Sequence, residues 1–238
     1  MKKKIVITGG TSRFALSLKR VKTPHKIFYP EKKKLNILNL NSIKNYIRKI
    51  KPDYFIHMAG LSRPMSIHDN DITKSIDLNI IGTANVVKAC SLFKIKIIYF
   101  STNYVYPGID GNYKETDPVL PFNNYAWSKL GGECSVSLYK NSLILRLCMT
   151  EFPFVHKEAF ADSINSFLYH RDVAAIVFKV LDKNGVLNIG GVRQSVYKFA
   201  KKKNLNVKRI FLKNRTDVKM PKNSSVNINK LKKILKND

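Results

Sequence analysis

Short apolar runs alternate with amphipathic stretches along almost the whole chain, and this alternation constrains the fold more than any other feature. Lys4–Thr8 reads as a buried strand, followed by Gly9-Gly10 and a helix around residues 14–19. Residues 25–29 read as a second strand, and residues 42–50 as a helix with Ile43, Tyr46, Ile47 and Ile50 on one face. Further strands are expected at 54–58, 96–101, 142–147 and 186–189, with helices at 79–90, 125–140 and 172–181. Strands separated by helices predict an α/β protein, a doubly wound parallel sheet covered on both faces. In such a sheet ligands sit beyond the carboxyl ends of the strands. The turn after Thr8 and the segment 101–104 both fall there.

At 238 residues, 44% of them hydrophobic, the chain can bury one good core and beside it a small lobe. No apolar run approaches the length of a bilayer span. The start, Met1-Lys-Lys-Lys, has the charge of a secretory leader, but its apolar stretch is only Ile5 to Ile7. Cys90, Cys134 and Cys148 are far apart and show no ligand spacing, so reduced thiols in a cytoplasmic protein are expected, and no metal site. The formal net charge of +27 raises nucleic-acid binding as a class. The lysines are nevertheless spread along the whole chain without interleaved aromatics, so specific nucleic-acid binding is not expected. A positive field that attracts an anionic small substrate suits this distribution at least as well.

Two segments carry chemistry. In Thr8-Gly9-Gly10-Thr11-Ser12-Arg13-Phe14-Ala15, small residues between a strand and a helix let the backbone approach a pyrophosphate. Arg13 suits a 2′-phosphate, and Lys32 to Lys34 follow the second strand, which favours NADP(H) over NAD(H). In Tyr125-Ala-Trp-Ser-Lys129, the four-residue spacing places phenol and ammonium on one helix face. Ser101-Thr102 closes an upstream strand and can meet that face with a hydroxyl. An ordinary amphipathic helix can also carry a lone Tyr-x-x-x-Lys; the upstream hydroxyls and the nucleotide turn favour catalysis. A cation within about 4–6 Å would lower the phenol by about 1–3 pH units. Lys129 is expected to do this for Tyr125 and to hold the nicotinamide ribose, with Thr102 stabilising the charge that develops on a substrate oxygen.

Taken together, these segments resemble the extended short-chain dehydrogenase/reductases, and within them the dTDP-4-dehydrorhamnose reductases. The resemblance runs through Thr8-Gly9-Gly10, Leu35-Asn36-Ile37-Leu38, His57-Met58-Ala59-Gly60, Asn79 to Asn85, Ser101 to Tyr106, Tyr125 to Glu133, Arg146, Asp172-Val173-Ala174 and Asn188 to Gly191. It also includes the segment from Pro221 to Leu231. It implies a Rossmann-like domain over residues 1–148 and a mixed segment over 149–238, in which a small, shortened C-terminal substrate lobe accompanies elements returning to the sheet. It further implies reduction of a 4-keto group on a nucleotide-linked deoxy sugar, for precursors of cell-surface polysaccharide, with NADP(H) as cofactor.

By this resemblance the catalytic set is Thr102, Tyr125 and Lys129. The cofactor contacts are Gly9, Thr11, Ser12, Arg13, Phe14, Asn36, Ile37, Ala59 and Gly60, with Tyr125 and Lys129. Thr102, Asn103, Tyr104, Lys157 and Arg171 are the substrate contacts. A homodimer through helices flanking the sheet is common among related enzymes. Three positions depart from the pattern: Ser12 and Ala15 stand where glycines are usual, Asn36 replaces an acid, and the stretch between Arg146 and Asp172 is short. A nucleotide-sugar epimerase and a non-catalytic nucleotide-binding subunit are the alternative readings.

Overall fold

The computed structural model describes residues 1–214 and 220–236. The first half runs β1 (Lys4–Thr8), α1 (Arg13–Lys19), β2 (Lys26–Phe28), α2 (Leu40–Ile50) and β3 (Tyr54–His57). Short helices α3 (Ile67–Asn70) and α4 (Ile72–Ser75) lead through a π-helical turn (Ile76–Ile81) into α5 (Gly82–Leu92). Next come β4 (Lys96–Thr102), α6 (Asn124–Ser137) and β5 (Ser142–Leu147). The remainder comprises β6 (Met149–Thr150), β7 (Glu158–Phe160), β8 (Ile164–Asn165), β9 (Leu168–Tyr169), α7 (His170–Lys179) and β10 (Gly185–Ile189). The last elements are β11 (Gln194–Ser195), α8 (Val196–Lys201), β12 (Lys208–Ile210) and α9 (Asn229–Lys236).

Six strands form one sheet in the order β10-β5-β4-β3-β1-β2, with every neighbouring pair parallel. The period of two along each strand separates two cores. Ile5, Ile7, Ile56, Ile98, Phe100, Leu143 and Leu145 face α1 and α7. Val6, Phe55, Ile97, Tyr99 and Ile144 face α2, α5 and α6. The result is a Rossmann-like, doubly wound α/β sheet. Chain order reverses between β1 and β3, and ligands of such sheets bind in the crevice at that reversal.

Several helices begin earlier than the apolar pattern indicates, because polar caps set their starts. The side chains of Asn39, Asp71 and Asn123 accept the backbone N–H groups of Ser42, Lys74 and Ala126, opening α2, α4 and α6. Beyond β5 the chain builds three two-stranded ladders, β6–β9, β7–β12 and β8–β11, over a small core of Phe154, Ala159, Val196, Ala200 and Val207. Residues 221–227 then run back as a strap. Asn223 N–H donates to Gly108 O at 2.8 Å, Ser224 N–H to Ile164 O at 3.0 Å and Asn227 N–H to Tyr113 O at 2.8 Å. The strap delivers α9 to β10, where Leu231 enters the main core.

Candidate active site

At the reversal point the β1 and β3 turns touch. Gly9 has φ +76°, and a Cβ there would stand 2.9 Å from Ala59 N. The glycine is therefore demanded by the backbone itself, whatever the turn binds. Gly9→Ala is expected to cost about 1–3 kcal/mol of stability from backbone strain alone, before any steric clash. Urea unfolding checks this, and a loss below that range would show that the turn relaxes. Ser12 uses its hydroxyl as the α1 cap, accepting from Ala15 N–H at 3.2 Å, and Thr11 is exposed beside it. Phe14 is buried, its ring centroid 5.4 Å from those of both Phe100 and His170.

His57, at the end of β3, fixes the two turns through a directed chain of hydrogen bonds. Thr83 Oγ1 donates to Asn79 O at 2.7 Å, so it accepts from His57 Nε2–H at 3.1 Å. His57 Nδ1 is then an acceptor, 2.9 Å from Thr8 Oγ1, which itself accepts Ala59 N–H at 3.2 Å. Burial lowers the imidazole to about 3, with a smaller contribution from the Lys129 charge. The ring thus stays neutral, and it packs at a strand end as its sequence position suggests.

A cleft of about 890 Å³ opens above these turns. Thr102, Tyr125 and Lys129 all line it, together with Ser12, Arg13, Phe14 and Gly60. Thr102 is the last residue of β4 and hydrogen-bonds the Tyr125 phenol. Asn79, inside the π-helical turn, ties the wall together. Its Nδ2 donates to Leu61 O at 2.9 Å and Ser128 Oγ at 2.8 Å, while its Oδ1 accepts Leu61 N–H at 2.7 Å. Ser128 in turn donates to Tyr125 O at 2.7 Å. Buried His68 packs its ring 5.2 Å from that of Tyr125, with Nδ1 2.7 Å from Ser75 Oγ and no partner for Nε2 among the described residues. Sequence reasoning passed over Asn79, Ser128 and His68 as site residues, because their roles depend on contacts distant in the chain.

The electrostatics correct one expectation. Lys129 does not depress the Tyr125 phenol. Burial pushes Tyr125 up to about 12, and the Thr102 hydrogen bond and the Arg63 charge offset this only in part. Lys129 is itself desolvated and falls to about 7, although Glu133 raises it, and its ammonium lies 4.2 Å from the centroid of the Tyr99 ring. A half-charged amine is a weak source of field, so desolvation wins. Lys129 drops from 10.5 to about 7 on folding, so the unfolded chain binds more protons between those values. Its contribution to stability therefore rises with pH across that window. A thermal-unfolding series from neutral to alkaline pH should show a steeper rise for the wild type than for Lys129→Met; parallel curves would place the amine in water.

The remaining predicted residues divide. Tyr104 and Lys157 line the cleft, and the Tyr104 ring packs edge-on against Phe122 at 5.1 Å. Asn103 also reaches the cleft wall, but its Nδ2 is committed to Ser224 O at 2.8 Å and Asn165 Oδ1 at 3.3 Å. Through this amide nitrogen it anchors the strap. Arg171 lies outside the cleft lining, paired with Asp172 at 3.5 Å and stacked on Phe152 at 4.3 Å. Ile37 is a core residue packed on Gly82, its carbonyl accepting from Asn85 Nδ2 at 3.1 Å. Asn36 Oδ1 closes its own turn by accepting Leu38 N–H at 3.1 Å. Gly9, Thr11, Ala59, Asn36 and Ile37 are not among the residues that line the cleft. Cys148 is fully buried, its Sγ against Asn165 Oδ1, and burial raises the thiol to about 12.

The cleft also contains an ion cluster that no sequence pattern announced. Arg63 grips Glu151 with both Nη atoms, at 2.7 and 3.2 Å, and Arg13 Nη1 joins at 2.8 Å. Among the described residues no group of three or more His, Cys, Asp or Glu side chains could hold a metal ion. No helix among them is long and apolar enough to cross a membrane. A dinucleotide fits what is present. The volume is ample for a bound cofactor, and three buried hydroxyls lack partners among the described residues: Ser101 Oγ in the cleft wall, Tyr29 Oη, whose ring packs against Gly10, and Tyr169 Oη.

Fold and cleft together define a Rossmann-like α/β protein with a nucleotide-sized cleft where the strand order reverses. The chain belongs to the family described as the RmlD substrate binding domain, whose model matches residues 2–177. A dTDP-4-dehydrorhamnose reductase of Aggregatibacter actinomycetemcomitans is 24% identical over 200 residues, covering 76% of this chain and 68% of that protein. Methionine adenosyltransferase 2 subunit beta of Pongo abelii is 30% identical over 107 residues, 45% of this chain but only 32% of that protein. Among solved structures, dTDP-4-dehydrorhamnose reductase of Bacillus anthracis in complex with NADP superposes with a TM-score of 0.86 at 26% identity, covering 98% of this chain and 92% of that one. A hypothetical dTDP-4-dehydrorhamnose reductase of Sulfolobus tokodaii gives 0.83 at 25% identity, covering 98% and 94%.

Proposed function

We propose that this protein reduces the 4-keto group of a nucleotide-linked deoxy sugar, using NADPH in preference to NADH. The observation that carries the reading is the convergence of Thr102, Tyr125 and Lys129 with the Ser12–Arg13 turn on one cleft. When bound, a reduced nicotinamide supplies the hydride. Tyr125 Oη–H, held protonated by its burial, gives its proton to the oxygen on which negative charge develops. Thr102 shares its hydroxyl with that phenol and is placed to donate to the same oxygen. Lys129, charged in about half the molecules at neutral pH, lines the same cleft and is placed to hold the nicotinamide ribose.

NADPH is favoured by Lys32 to Lys34, which follow β2, and by the NADP complex of the Bacillus anthracis reductase. A second reading, a nucleotide-binding subunit without turnover, is favoured by the 30% identity to methionine adenosyltransferase 2 subunit beta. NADPH consumption with a panel of 4-keto nucleotide sugars separates the two. Turnover supports the reductase, whereas cofactor binding without turnover on any of them supports the subunit. Failure to bind either nicotinamide dinucleotide would remove the reductase and leave a binding or regulatory role.

A further inference from the structure

Glu151 is an anion in a place built for anions. It is the first residue after β6, its side chain only 12% exposed, and it sits between a guanidinium from the nucleotide turn and one from the loop after β3. Arg63 engages it in a two-pronged fork, the geometry with which guanidinium also takes a phosphate. Arg13 shares Oε1, so two cations face a single carboxylate and one positive charge remains uncompensated. The pair holds Glu151 down to about 2, so the carboxylate is ionised throughout the physiological range. Arg63 also acts towards the chemistry: its charge reaches Tyr125 and Tyr104. Both arginines remain at least half exposed, open to a ligand arriving from solvent.

We propose that Arg13 and Arg63 form the seat for a ligand's diphosphate, and that Glu151 fills this seat as an internal competitor until the ligand displaces it. The inference rests on the nucleotide-binding reading above and adds Arg63 and Glu151 to it. A diphosphate carries more charge than the carboxylate it replaces and so uses both guanidinium groups. Its arrival frees Glu151, and with it the connection from β6 into the lobe, which couples occupancy of the seat to the position of the lobe wall. The diphosphate of a dinucleotide and that of a sugar nucleotide share this chemistry.

The test compares wild type, Glu151→Gln, Arg63→Ala and the double variant by calorimetry with inorganic pyrophosphate, NADP⁺ and thymidine diphosphate. Glu151→Gln keeps the side-chain shape and removes the competing charge. It should tighten pyrophosphate and at least one nucleotide by about tenfold, the scale of a lost charge pair, and the gain should vanish in the double variant. A gain confined to NADP⁺ assigns the seat to the dinucleotide, and one confined to thymidine diphosphate assigns it to the sugar nucleotide. Unchanged or weaker binding of all three, or a gain for pyrophosphate alone, overturns the proposal. Should Glu151→Gln not fold, Arg63→Lys breaks the fork but keeps the charge; it should weaken the same nucleotide about tenfold, and an unchanged affinity is equally fatal. A protein that binds no nicotinamide would defeat the reductase reading yet leave the pyrophosphate and thymidine diphosphate results standing.

Discussion

Tyr125→Phe is expected to lower turnover of a 4-keto nucleotide sugar by about 10²–10⁴-fold, the range for loss of a positioned general acid, with NADPH affinity within about threefold of wild type. The hydroxyl is the only group removed, and its ring contacts, the 5.2 Å approach of His68 among them, survive in phenylalanine. The substitution leaves the Ser12–Arg13 turn of the cleft untouched. Because burial puts the phenol at about 12, the acid stays protonated across the usable range and should impose no alkaline limb near neutrality. The titration that does fall there belongs to Lys129, at about 7. The kcat/KM of the wild type should therefore decline as pH rises above about 7, since the free protein loses its ammonium in that interval. Residual Tyr125→Phe activity close to wild type would take the proton source away from this residue, and a flat profile would do the same for the Lys129 charge.

What could be read in the sequence followed from local physics. The inner strands of the main sheet are buried on both faces, so they appear as short apolar runs: every residue of β4 and β5 is buried. The positions of Thr102, Tyr125 and Lys129 in one cleft were also legible, because a strand end and an i,i+4 helix pair are local patterns. Glu151 and Arg63 were not, since they lie 88 residues apart and meet only through the tertiary fold. The part that Asn103 plays in the strap was equally hidden. Its neighbour Thr102 faces the cleft, but a short 3₁₀ turn beginning at Asn103 directs its amide to the strap at Ser224, 121 residues away. The lobe strands β6, β8, β9 and β11 have two residues each, too few to show any period. The charge logic of Tyr125 and Lys129 failed as a sequence argument because spacing reveals proximity and says nothing of desolvation.

Glu133→Ala is expected to destabilise the fold by about 3–5 kcal/mol, the cost of stranding one member of a buried ion pair. Arg146, on β5, reaches Glu133, on α6, through Nε at 3.2 Å to both carboxylate oxygens and through Nη2 at 2.9 Å. Removing the carboxylate leaves the guanidinium, among the described residues, only Tyr106 Oη at 2.9 Å and Glu115 O at 3.4 Å, both neutral acceptors around a buried side chain. The pair clamps α6 to the sheet one turn beyond Lys129, and its carboxylate also raises the Lys129 amine. The variant should thus lower both the urea midpoint and the pH at which Lys129 loses its proton, two readouts from one substitution. Combining it with Arg146→Met should restore much of the lost stability, since an apolar pair carries no desolvation cost, yet leave Lys129 depressed. A single-variant loss below about 1 kcal/mol would mean that water reaches the guanidinium, and the helix would then be held to the sheet by its apolar face alone.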